Sequence, residues 1–150
     1  MRPWLIGGLT LTADQATKYL ITSTFVPGES LPLIPSVLHL TYIQNTGAAF
    51  GLFKGQQVLF IGLSILVIGW VVTELLRKPG LSDLPMWGCA LILGGAAGNL
   101  IDRSRLGYVI DFIDIRVWPV FNVGDSAITI GVALLFLHSF LGRAEPRDDR

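Results

Sequence analysis

Four stretches of this chain are apolar over close to the ~20 residues that a helix needs to cross roughly 30 Å of hydrocarbon. They run from about Trp4 to Phe25, Val58 to Leu76, Pro85 to Ile101 and Val123 to Leu141. Nothing else in the sequence constrains the fold as strongly. In lipid a spanning segment has to satisfy its own backbone hydrogen bonds, so each stretch is predicted to be a helix. The expected fold is therefore an all-α integral membrane protein with four transmembrane helices. One membrane-embedded domain occupies residues 1–150, ending in a polar tail over 144–150. Composition agrees: 15% of residues are charged and 51% are hydrophobic, against about 25% charged in a soluble domain.

The opening Met1-Arg2-Pro3-Trp4 has the look of a signal peptide, but Asp14 and Lys18 interrupt the apolar run. No small-residue cleavage site follows closely, so the segment is predicted to be a retained first span. An even number of spans puts both termini on one side. Arg2, Arg77, Lys78, Arg143, Arg147 and Arg150 then face one compartment, and Lys54, Arg103, Arg105 and Arg116 the other. That bias favours cytoplasmic termini and puts the loops after the first and third spans on the outer face. In the first of these loops, Val37-Leu-His-Leu-Thr-Tyr-Ile43 alternates and is β-branched, which predicts short strands lying on the outer surface.

Several function classes drop out early. A net charge of zero argues against nucleic acid as a partner, because phosphate binding needs a basic face. The single cysteine, Cys89, excludes an internal disulfide, and as a small apolar residue in mid-span it reads as packing. His39 and His138 are far apart, so neither a metal site nor a cofactor is expected. Ser23, Ser64, Ser126 and Ser139 have no nearby base in sequence, and a serine–lysine dyad of Ser23 with Lys18 lacks supporting context.

What remains is a set of polar groups that a membrane helix carries at a cost. Asp14 and Lys18 are four residues apart on one helix face, acid before base, and read as a structural ion pair or as participants in chemistry. Gly94 and Gly98 form a small-xxx-small face that lets another helix approach closely. Asn99 and Arg103, one turn apart, point the same way, towards a peptide or an acid, or else cap the helix end. Asn45-Thr46-Gly47 reads as a turn delivering the chain to the second span, with Asn45 also offering an amide to a substrate backbone. Asp111 lies in apolar sequence that favours its protonated form, and Asp125 lies in the first turn of the fourth helix with Asn122 as its N-cap. Two carboxyls flanking one short loop can share a proton and activate water, which is aspartic protease chemistry. Asp102 and Asp114 are competing acids.

These blocks occur in a fixed order: Asp14-x-x-x-Lys18, Asn45-x-Gly47-x-Ala49-Phe50, Gly94-Gly-x-x-Gly-Asn99-x-x-Asp102-Arg103, Val109-x-Asp111-Phe112 and Phe121-Asn122-x-x-Asp125-Ser126. Taken together they resemble the lipoprotein signal peptidase (signal peptidase II) family over nearly the whole chain. The resemblance implies a four-helix aspartic endopeptidase of the bacterial inner membrane with a small β-rich periplasmic cradle. It implies Asp111 and Asp125 as the catalytic dyad, with Asn45, Gly47, Asn99, Arg103 and Asn122 lining the substrate site. Asp14, Lys18 and Asp102 support that site. The implied substrates are diacylglyceryl-modified prolipoproteins, cut before the lipid-modified cysteine beside membrane lipid, and the implied inhibitor is the cyclic peptide globomycin. Gly124 stands where the family's last block usually has alanine, which predicts a looser backbone just before Asp125. The loop from Asp114 to Pro119 looks short. Two other classes compete: a small proton-coupled transporter using the intramembrane acids as a relay, which discontinuous or repeated spans would favour, and a non-catalytic scaffold.

Overall fold

The computed structural model describes residues 2–47 and 55–141. Lys54, Ala49-Phe50 of the second motif, Arg143 and the tail over 144–150 lie outside the described residues. Four long helices form: α1 (Arg2–Thr24), α2 (Gln57–Arg77), α3 (Asp83–Leu106) and α4 (Val123–Leu141). Three of them, α2, α3 and α4, are long and apolar enough to cross a membrane. α1 has the length, at 23 residues, but it carries Arg2, Asp14 and Lys18 and is not among the three.

The predicted bounds match the helices closely except in the third, which continues past Ile101 to Leu106. Asp102 and Arg103 read as an end signal because charge at a membrane boundary is costly. Asp102 is instead buried and paired, so the helix runs one more turn. It stops at Gly107, whose φ of 79° gives the left-handed cap that glycine adopts without strain.

α3 is the central helix, and glycine decides how closely its neighbours approach. A Cβ on Gly88 would meet the Gly131 carbonyl oxygen at 2.8 Å, and one on Gly131 would meet the Gly88 oxygen at 2.7 Å. Gly95 and Gly124 face each other in the same way one heptad along, so α3 and α4 run antiparallel with their backbones in contact. The expected face of Gly94 and Gly98 receives α1: a Cβ on Gly94 would strike Gly7 and Thr10, and one on Gly98 would strike Asp14. Gly88→Ala would wedge the α3–α4 seam open. α2 packs more loosely, through Val71 and Leu75 against Cys89 and Ile92. Its other faces expose Val58, Leu63, Ile65, Leu66 and Trp70, a larger apolar patch than a water-facing surface normally carries.

The expected strands form as a three-stranded antiparallel sheet in the order β1 (Ser30–Ile34), β2 (Leu38–Asn45), β3 (Val109–Asp114). β1 is the exposed edge, where Pro32 withholds no needed ladder donor. β3 was not anticipated in the sequence. It is buried along almost its whole length, so the polar–apolar alternation that betrays a half-exposed strand is missing. The pairing of Ile43 with Asp111 ties the first loop to the second. Phe121 then bridges back to Ile113, its N–H and C=O bonded to that residue at 3.1 and 2.7 Å. This closure brings the start of α4 beside β3.

Candidate active site

Asp125 occupies the third position of α4, and Asn122 caps the helix as expected. The Asn122 Oδ1 accepts the Asp125 N–H at 2.8 Å, and Asp125 Oδ2 accepts the Asn122 N–H at 3.3 Å. This reciprocal capping box leaves the acid fixed at the positive end of the helix. Asp111 lies across from it on β3, 2% exposed. Both acids line one cleft of ≈ 330 Å³ together with Asn45, Gly47, Arg103 and Trp118.

Three asparagines hold the two acids. Asn45 donates to Asp111 Oδ2 at 2.8 Å, Asn122 to Asp111 Oδ1 at 2.7 Å, and Asn99 to Asp125 Oδ1 at 2.8 Å. Asn99 and Asn122 are themselves bonded at 3.2 Å, Nδ2 of the latter to Oδ1 of the former. The turn reading of Asn45 holds, since its Oδ1 accepts the Gly47 N–H at 3.0 Å and closes an Asx turn; its amide nitrogen is bonded to Asp111 in this structure. Among the described residues neither Asp111 nor Asp125 makes an ion pair. Burial, and then the neighbouring Asp125 charge, push the Asp111 carboxyl up to about 7, against the pull of the Asn45 and Asn122 amides and of Lys18.

The two competing acids are engaged elsewhere. For Asp114, burial alone would raise the carboxyl, but the Arg116 backbone N–H at 2.9 Å, the Thr41 hydroxyl at 2.9 Å and the Arg116 guanidinium at 2.8 Å together hold it below the ordinary carboxylate value. Asp102 is bound to Lys18. The expected two-member pair of Asp14 and Lys18 is in fact a cluster of three: the ammonium lies 2.8 Å from Asp14 Oδ2 and 2.8 Å from Asp102 Oδ2. It also donates to Asn99 Oδ1 at 2.9 Å. Gln15 closes the cluster by donating to Asp102 Oδ1 at 3.1 Å, and Asp102 Oδ2 receives the Ile110 N–H at 3.2 Å, which fixes β3 to α3.

Gly124 departs from the expectation of a loosened backbone. Its N–H donates to Asp14 Oδ1 at 2.7 Å, and a Cβ there would sit 2.9 Å from the Gly95 carbonyl oxygen and 3.0 Å from Asp14 Oδ1. The missing methyl is what lets α1, α3 and α4 meet beneath Asp125, and the residue is pinned.

Arg103 lines the cleft one turn beyond Asn99, with its guanidinium 5.0 Å from the centroid of the Phe60 ring. Among the described residues its Nε is buried without a hydrogen-bond partner. A buried donor of that kind is costly unless something fills it, and here it borders the cleft. Gln15, Thr41 and Phe60 were not singled out in the sequence. Gln15 was legible as one more polar residue in an apolar span, whereas Thr41 and Phe60 carry no local signal. Cys89 is buried among apolar residues, and Ser23 bonds the Leu20 carbonyl oxygen at 3.0 Å on an exposed face.

Comparison with known proteins points one way. The family model described as Signal peptidase (SPase) II matches residues 6–141. A lipoprotein signal peptidase of Moorella thermoacetica is 49% identical over 131 residues, covering 87% of each chain. One from Halothermothrix orenii is 45% identical over 90% of this chain and 92% of its own. A solved structure described as a bacterial membrane enzyme, determined by the in meso method at 2.3 Å resolution, superposes with a TM-score of 0.92 at 31% identity. It covers 99% of this chain and 93% of that one. A second, described in the same words at 1.9 Å, gives 0.83 at 32% identity, covering 99% and 94%. With its ordered motifs, its helical membrane fold and a family match running from α1 to the end of α4, this chain belongs to the signal peptidase II family.

Proposed function

We propose that the protein is an aspartic endopeptidase that removes the signal peptide from lipid-modified prolipoproteins, cutting before the diacylglyceryl-bearing cysteine. One observation carries this reading: two carboxyls, Asp111 buried and Asp125 half-buried, line one cleft, each held by side-chain amide N–H donors. Amide donors orient a carboxylate yet leave it free to take up and release a proton, which an ammonium at contact distance would oppose. One carboxylate takes a proton from water as its oxygen adds to the scissile carbonyl carbon. The other carboxyl gives its proton to the carbonyl oxygen. Collapse of the gem-diol then breaks the C–N bond, and the proton passes to the leaving amine. The pair titrates as a unit around one shared proton.

In this reading the dyad is Asp111 and Asp125, Asn45, Gly47 and Arg103 line the substrate site, and Asn99 and Asn122, buried and outside the lining of that cleft, hold the two acids from behind. The unfilled Arg103 Nε–H supports a role in holding a peptide carbonyl, and the same contacts would receive a substrate-mimicking cyclic peptide such as globomycin. α1 is the fourth span of a single membrane domain. The burial of Asp14 and Lys18 against α3 supports this, since it hides their charge from lipid. Arg77 and Lys78, at the end of α2 away from the sheet, support cytoplasmic termini and a site on the periplasmic side of the inner membrane. The transporter reading gains nothing from the helices, which are continuous over their described lengths.

The test is to incubate the purified protein in lipid with a diacylated precursor peptide and to identify the product termini by mass spectrometry. A single cut immediately before the modified cysteine is expected. No cut, or the same cut in an unlipidated peptide at equal rate, would overturn the reading.

A further inference from the structure

Each asparagine beside the two acids has its carbonyl oxygen pinned by a donor that cannot accept. For Asn45 the donor is the Gly47 N–H at 3.0 Å, and for Asn122 it is the Asp125 N–H at 2.8 Å. Both pins are backbone groups within three residues in sequence, so local chain geometry supplies them. Asn99 differs. It sits inside α3, with no local donor for its side-chain oxygen, and its pins arrive from other elements: Lys18 Nζ of α1 at 2.9 Å and Asn122 Nδ2 at 3.2 Å. A lysine ammonium has three N–H donors and no lone pair, so the atom of Asn99 that faces it has to be the oxygen. The NH₂ group then has one direction left, towards Asp125 Oδ1 at 2.8 Å. A flipped amide would aim a carbonyl oxygen at that carboxylate.

We infer that Lys18 is a positioning residue for the dyad, acting through Asn99: its ammonium sets the polarity of that amide, so that Asp125 always meets an N–H donor. The arrangement of the cluster fits this task. Asp14 and Asp102 hold the ammonium from two sides at 2.8 Å each, which leaves its third N–H for Asn99. Gln15 donates to Asp102 at 3.1 Å and steadies that acid in turn. Lys18 is 1% exposed and does not line the cleft that holds Asp111 and Asp125, so it acts at one remove from the reacting atoms. The inference rests on the proposed dyad but is separable from it, because peptide cleavage by the parent protein is established first.

The experiment is a double-mutant cycle on kcat and KM with the diacylated precursor peptide. Lys18→Met is combined with Asp102→Asn, which keeps the net charge of the Asp14–Lys18–Asp102 cluster at −1 and avoids stranding a second acid. Asp102→Asn alone is the reference. The loss expected in kcat is on the order of 10²-fold, as for an ångström-scale misplacement of a reacting group, with KM unchanged within about twofold. Introduced into an Asn99→Leu background, the same pair of changes should cost less than about threefold more, since two residues acting through one contact are not additive. Lys18→Gln, which retains an amide donor at neutral charge, should recover part of the kcat lost in Lys18→Met. A full additive loss in the Asn99→Leu background would overturn the inference. Equal loss in the Gln and Met variants, with both proteins folded by thermal unfolding in detergent, would do so as well. If the Met variants do not fold, the Gln variant carries the test alone: kcat losses that add in full to those of Asn99→Leu contradict the inference, and losses that do not add support it.

Discussion

Asp14 and Asp102 each meet the Lys18 ammonium at 2.8 Å, whereas Asp111 and Asp125 meet the side-chain amides of Asn45, Asn99 and Asn122. The two pairs of acids lie in one bundle and are linked by Asn99, which accepts from Lys18 and donates to Asp125, yet the groups that hold them are opposite in kind. In the first pair a buried cation compensates the charge, and the group behaves as a fixed strut joining α1 to α3. In the second, the amides return only part of what burial costs, and the Asp111 carboxyl is pushed up to about 7 by burial and by the neighbouring Asp125 charge. A carboxylate beside a cation holds structure together; a carboxylate beside amides is kept available.

The largest effect that sharpens this contrast is expected at Asp125. Asp125→Asn retains an oxygen to accept the Asn122 N–H, so the start of α4 should stay capped while cleavage falls by about 10⁴-fold, as for removal of a single member of a catalytic set. Turnover within tenfold of the parent would remove Asp125 from the chemistry. At the strut, Lys18→Ala should cost about 3–5 kcal/mol, because it leaves buried charge without its partner. Adding Asp102→Asn should return part of that loss. Thermal unfolding in detergent reads both, and a single mutant as stable as the parent would mean that the cluster is not a strut.

Arg103→Ala should lower cleavage and weaken inhibition by a substrate-mimicking cyclic peptide by about 10- to 100-fold, the scale of charge-assisted hydrogen bonds worth roughly 1.5–3 kcal/mol. Arg103→Lys should recover only part, since a point charge lacks the planar fork. Undiminished inhibitor affinity in the folded alanine variant would return Arg103 to the role of a helix-end anchor stacked on Phe60.

The smallest effect is a pH-dependent one. The folded-state value of Asp111, about 7, lies above its ordinary 3.8. Its ionised form is therefore disfavoured in the folded protein, and stability is lost as pH rises from about 4 and levels off above about 7. Asp111→Asn removes that penalty. The variant should unfold at a higher temperature than the parent at pH 8, and the gap should close by pH 4. A gap that widened on acidification would contradict the raised value.

The helices were legible because length and apolarity are local properties, and all four begin and end within a few residues of the predicted bounds, apart from the end of α3. Asp102 explains that exception: its charge reads as a terminus until Lys18, distant in sequence, neutralises it. The acids themselves were legible as carboxyls at a membrane boundary, and their order along the chain carried the family resemblance. Asn99 was legible as a group that could point at an acid, and it donates to Asp125; what could not be read was that Asn45 and Asn122 hold Asp111. Asn45 reaches Asp111 only because β2 pairs with β3, and β3 hides from periodicity by being buried on both faces. Gly124 looked like slack because a missing methyl implies freedom. In the folded chain the same absence lets Gly95 and Asp14 close upon it, and contact replaces freedom.

Asp111 and Asp114 stand three residues apart on one strand, both buried, and they separate the two kinds of acid most directly. The decisive measurement is single-turnover cleavage of a diacylated precursor peptide by purified, folded Asp111→Asn and Asp114→Asn side by side. No detectable product is expected from Asp111→Asn, and a rate within about threefold of the parent from Asp114→Asn, as for a substitution outside the chemistry. Near-normal turnover by Asp111→Asn, or a folded Asp114→Asn that does not cut, would contradict this expectation.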